Sequence, residues 1–162
     1  LSFEAAVRSS ATAALRAACK QGKSALEARH RPRITCSDPA RITASVDLDK
    51  ALVKLPAHAQ APRWDYGLGH REAAGAEVAV WVEVHTASMS EVTTVLRKLD
   101  WLKHFLRSDC ADVWKLTLKG AKDRQRFVWI AASGVHINRN SPQARRLASA
   151  GLRLPHSQLQ LP

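Results

Sequence analysis

At 162 residues, 46% of them hydrophobic and 24% charged, the chain is long enough to bury one core and too apolar to remain disordered. A formal net charge of +11 favours polyanionic partners, nucleic acid foremost, and leaves open a domain merely kept soluble by surface Lys and Arg. Three scattered cysteines, Cys19, Cys36 and Cys110, exclude a disulfide framework and a zinc-spaced set, and no apolar run approaches the ~20 residues of a membrane span.

These features predict a soluble, reduced, cytoplasmic protein without membrane association. They predict one domain over residues 1–162, with a core over about 2–132 and a short helix and extended tail over 141–162. Because the chain begins at Leu1 rather than Met, a targeting signal upstream of it is invisible here.

In chain order, residues 2–30 read as a long alanine-rich helix, with Phe3, Ala6, Val7, Ala14, Leu15 and Leu26 along one face and a break placed near Gly22. Pro32 stops it, and a turn-like connection follows. Residues 41–52 read as a strand that sets Ile42, Ala44, Val46 and Leu48 against Thr43, Ser45, Asp47 and Asp49. After a loop with two prolines, residues 63–69 alternate again: Trp64, Tyr66 and Leu68 one way, Arg63 and Asp65 the other.

Past a turn at Gly75, residues 76–86 form the clearest strand. Val78, Val80, Val82 and Val84 fill one face, and Glu77, Trp81, Glu83 and His85 the other. A helix over about 90–107, capped by Ser88 or Ser90, carries Val92, Val95, Leu96, Leu99, Leu102 and Leu106 as a stripe. Residues 112–118 read as a short strand or irregular edge, 119–126 as a basic turn, and 126–133 as a strand covered on both faces. Ser141 followed by Pro142 caps a short helix that ends near Gly151. The expected class is α/β, an αβββαβ core with a central mixed sheet flanked by helices.

Asp65, Glu83 and His85 converge if their strands pair, since residues two apart share a face. Two carboxylates flanking a gap suit a hard divalent ion such as Mg²⁺ or Mn²⁺, with water and phosphate completing its shell. Such an ion activates water and stabilises a transferring phosphoryl group. The ordinary alternatives are a solvated sheet face for Glu83 and His85, a turn or ion-pair role for Asp65, and basic partners for Asp47 and Asp49. Against the first alternative, a Glu on a strand covered on both sides is costly unless paired.

With Asp65 in WDYGLG and Glu83 in VEVHT, the αβββαβ order resembles the PD-(D/E)XK, or restriction-endonuclease-like, nuclease superfamily over roughly residues 2–132. The resemblance implies that Asp65 and Glu83 hold the metal and that a lysine two positions later orients the attacking water. Here His85 stands at that position, as auxiliary ligand or proton acceptor, and Trp64 stands where the family has proline. Some members place the lysine in the following helix, where Lys98 lies; its ordinary alternative is an exposed helix residue.

The implied function is a nucleic-acid-handling, Mg²⁺- or Mn²⁺-dependent phosphodiesterase, or an inactive relative that binds nucleic acid or a protein. A third reading makes the chain an accessory domain with a purely structural acid cluster. Lys119, Lys122, Arg124 and Arg126 are candidate phosphate contacts or a solvated loop. Trp81 either packs under a helix or stacks on a base. The expected partner is nucleic acid, DNA ahead of RNA, with a protein partner or homodimer as further options. No GxSxG elbow, P-loop or GxGxxG supports another enzyme class.

Overall fold

The amino-terminal helix breaks earlier than its composition predicts. In the computed structural model, which describes residues 1–119 and 125–162, α1 spans Phe3–Arg8 and α2 spans Ala13–Ala18. Ser9 Oγ donates to the Ala6 carbonyl at 2.7 Å, and Ser10 Oγ accepts from the Thr12 amide at 3.2 Å. Such local bonds offer the backbone an alternative to the helix ladder. The chain then extends into β1 (Lys20–Gln21), which pairs with Ser45 and Ala44, and Gly22 at φ 54° turns it away.

The following elements are β2 (Ile34–Cys36), β3 (Ile42–Asp47), α3 (Leu48–Leu52), β4 (Tyr66–Arg71) and β5 (Glu77–Ser88). They are succeeded by α4 (Val92–Asp109), α5 (Ala111–Leu118), β6 (Phe127–His136), α6 (Pro142–Ser149) and β7 (Leu159–Leu161). The central sheet runs β1-β3-β4-β5-β6, antiparallel up to β5 and parallel between β5 and β6. Helices α4 and α5 form the crossover that a parallel pair requires. The class is α/β, with a mixed sheet flanked by helices.

Strand alternation divides the core in two. Val78, Val80 and Val82 join Tyr66, Leu68, Val128 and Ile130 on a face covered by Leu26, Ile34 and Leu161. Ile34 and Leu161 belong to a second, two-stranded sheet in which β2 and β7 pair in parallel, and Leu26 comes from the segment after β1. On the opposite face, Ala79, Trp81 and Trp129 meet Phe3 from α1, Val95, Leu99 and Leu102 from α4, and Leu147 from α6.

Two glycines of β4 make room on this helix side. A Cβ at Gly67 would lie 2.6 Å from the Trp81 ring, and one at Gly69 would lie 2.5 Å from Phe3 Cβ. Trp81 Nε1 donates to Thr117 Oγ1 at 2.9 Å, and the ring is fully buried. It packs under helices and is closed to a nucleic-acid base.

Three local expectations are corrected. Residues 112–118 belong to helix α5, where Val113, Leu116 and Thr117 form the buried face; a short apolar run does not distinguish strand from helix by itself. The strand expected to reach residue 52 ends at Asp47, whose carboxylate accepts from the Lys50 amide at 2.8 Å and caps α3. Trp64 does not share a face with Tyr66 and Leu68. It precedes the β4 ladder and packs in the helix-side core. Among the described residues, no helix is long and apolar enough to cross a membrane.

Candidate active site

Strands β4 and β5 are of unequal length, and the site lies where the shorter one starts. Tyr66, the first residue of β4, pairs with Val82, while β5 continues to Ser88. Residue 65 therefore stands beside residues 83 and 84 without belonging to the ladder. Its carbonyl accepts from the Leu48 amide at 2.7 Å, which anchors it to the start of α3.

Its other polar groups engage β5. The Asp65 amide donates to Glu83 Oε2 at 3.0 Å, and the Val84 amide donates to Asp65 Oδ2 at 2.9 Å. Each carboxylate thus spends one oxygen on a backbone amide, and this reciprocal clasp fixes both side chains. The remaining oxygens face Lys98. Its ammonium donates to Glu83 Oε1 and lies 3.9 Å from Asp65 Oδ1.

Lys98 reaches this point because Val95, Leu99 and Leu102 press α4 onto the sheet. A residue three after Val95 and four before Leu102 lies along that buried stripe. Its alkyl stem lines the core while the ammonium finds carboxylates at the sheet end. The sequence places Lys98 at the edge of the core; the fold gives it a partner with no exposed surface.

His85 shares the face of Glu83 but turns towards α4. Its Nε2 lies 2.7 Å from Glu91 Oε2, and its Nδ1 lies 3.8 Å from Glu83 Oε1. Glu91, at the end of the short turn that precedes α4, completes a chain of carboxylate, imidazole and carboxylate. The signal was available in the spacing, since a strand that leads directly into a helix brings residues 85 and 91 back together.

Burial dominates the electrostatics. The Glu83 carboxyl is pushed up to about 8, first by burial and then by Asp65, with Lys98 pulling it back in part. Burial also holds Asp65 above the ordinary aspartate value, and Lys98 again opposes the shift. A groove of about 450 Å³ opens beside Asp65, with His30, Asp47, Asp49, Lys50 and Tyr66 among its walls. His30 Nδ1 lies 2.7 Å from the Tyr66 hydroxyl. Asp49 pairs with Arg63 at 2.8 Å, a basic partner, whereas the partner of Asp47 is a backbone amide.

The donor chemistry of the cluster fits a hard divalent cation. Asp65 Oδ1 and Glu83 Oε1 are the two oxygens not claimed by amides, and both lie beside a cation, the Lys98 ammonium. Mg²⁺ commonly takes only one or two carboxylates and fills its shell with water and phosphate. Among the described residues, no group of three His, Cys, Asp or Glu side chains forms a metal-binding set. His85, bonded to Glu91 through Nε2, stands beside the two acids.

The expected phosphate-contact loop is a different matter. Lys122 and Arg124 lie outside the described residues. Lys119 is exposed just after α5. Arg126 is only 6% exposed, and its guanidinium donates to the Lys119 carbonyl at 2.6 Å and to Glu72 Oε1 at 3.3 Å. It ties the ends of this connection together and is positioned as an internal ion-pair partner.

In comparisons with known proteins, no family model, curated protein or solved structure matches this chain.

Proposed function

We propose that this chain is a nucleic-acid-handling domain of nuclease-like fold, whose Asp65, Glu83 and Lys98 form a metal-dependent phosphodiesterase site. The observation that carries the reading is the arrival of Lys98 from α4 at the two carboxylates, which supplies the lysine that position 85 lacks. Asp65 and Glu83 would hold a divalent cation. When bound, that cation lowers the pKa of a water and neutralises charge on the phosphoryl oxygens.

The chain's own residues have separate tasks. Backbone amides of residues 65 and 84 orient the carboxylates. Lys98 offers an ammonium to the phosphate or to the attacking water. His85, held by Glu91, stands ready to accept a proton at its imidazole.

A second reading, an inactive nuclease-like fold that binds nucleic acid or protein, is favoured by one observation. Glu83 has no exposed surface, and its outward oxygen already has the Lys98 ammonium. The cluster then stands complete as an internal ion network.

Incubation of labelled single- and double-stranded DNA and RNA with Mg²⁺ or Mn²⁺ separates the two. The catalytic reading expects metal-dependent cutting that disappears in Glu83→Ala. Cutting that survives this substitution places the activity elsewhere, and binding without cutting selects the second reading.

A further inference from the structure

A second concave surface lies at the open edge of the central sheet. It is a groove of about 640 Å³ between α6 and the segment that follows it. Arg139, Arg153 and His156 line it together with Ala148, Leu152 and Leu154, and no acidic side chain takes part. Arg139 and Arg153 are exposed, and among the described residues neither side chain has a hydrogen-bond or ion-pair partner. Two guanidinium groups without an acidic neighbour in the groove stand beside an apolar floor, with charge free for a ligand.

The sheet register relates this groove to the acid cluster. Glu83 pairs with Trp129, and Val84 pairs with Ile130, which bridges in parallel to His156 on the far side of β6. His156 thus stands two strands from Val84 at the same level of the sheet, about 10 Å away at the usual strand spacing. Leu147 of α6 and Leu152 belong to the same core cluster as Leu99 of α4, so the groove flanks the helix layer above the cluster.

We infer that this groove binds single-stranded nucleic acid, with Arg139 and Arg153 on phosphates and a base over the floor at His156 and Leu154. Charge complementarity selects a polyanion, since the rim carries two full positive charges and no negative one. The apolar floor selects a single strand over a duplex, because only an unpaired base exposes its flat face to side chains. The inference rests on the nucleic-acid reading above and deepens it by naming the strand form and where it is held. Neither arginine belongs to the acid cluster.

The test uses the whole chain and fluorescently labelled oligothymidine, with binding followed by anisotropy across a salt series. Each phosphate neutralised on a single strand contributes about 0.7 to the slope of log affinity against log salt, so Arg139→Ala/Arg153→Ala should flatten the slope by about 1.4. Arg139→Lys/Arg153→Lys preserves the charge and should keep most of the slope. An alanine variant with unchanged slope and affinity overturns the groove while leaving the nucleic-acid reading intact. Failure of the unaltered chain to bind oligothymidine, while it binds duplex DNA, overturns the strand form. Failure to bind any nucleic acid overturns both readings.

Discussion

Replacing Lys98 with Met removes the ammonium beside Glu83 and keeps an unbranched side chain to fill its path. The Glu83 carboxyl is pushed up to about 8 from an ordinary 4.5, by burial first and Asp65 second. A carboxyl raised in this way holds a proton in the folded chain that the unfolded chain has already released. Its contribution to stability is full below the unfolded value and is lost as pH rises through the folded one.

Without Lys98 the attraction that pulls Glu83 back is gone, and the loss extends to higher pH. Near about pH 5.5, where Glu83 is protonated in both proteins, Lys98→Met should differ little from the unaltered chain in stability. Near about pH 9 it should fall behind by about 3 kcal/mol, because a buried charge has lost its partner. Urea unfolding followed by the emission of Trp64, Trp81 and Trp129, all buried, measures the difference. His30 and His70, whose pKa values burial lowers, bend both curves the opposite way, so the difference between the two proteins isolates the coupling of Lys98 to Glu83 and Asp65. Equal destabilisation at the two pH values would refute it.

Gly67→Ala should destabilise the fold by about 1–3 kcal/mol in urea melts, because the new methyl meets the rigid Trp81 ring. An unchanged midpoint would show that the helix-side core yields at this point. Arg126→Ala should cost about 3 kcal/mol of stability by breaking a nearly buried pair with Glu72. A variant of undiminished stability with weakened nucleic-acid binding would instead make Arg126 a phosphate contact.

What could be read from the sequence was what short-range periodicity controls. Alternation in 76–86 put Glu83 and His85 opposite the valines, and Trp81 opposite Val82, as the two core clusters show. The apolar stripe of α4 was equally plain, and the superfamily resemblance drew attention to Lys98. Other features depend on partners far along the chain. Ser9 and Ser10 end a helix that alanine content favours, through bonds within three residues that propensity does not weigh. The direction of Trp64 depends on where β4 starts, which is set by tertiary bonds from Asp65 to Leu48 and Glu83. Pairing between β2 and β7 joins two three-residue segments, too short to carry a pattern of their own.

That last pairing bears on the order in which the molecule is made. The valine face of β5 is covered by Ile34, which leaves the ribosome before β5, and by Leu161, which leaves it long after β5 is complete at Ser88. Until β7 arrives, β2 lacks its hydrogen-bonded neighbour and the valine layer stands partly bare, while the helix side with its acid cluster can already assemble from residues up to Leu152. Synthesis therefore exposes one side of the sheet to chaperones and self-association for longer than the other. Truncation before Leu159 should leave a molecule arrested in that half-covered condition.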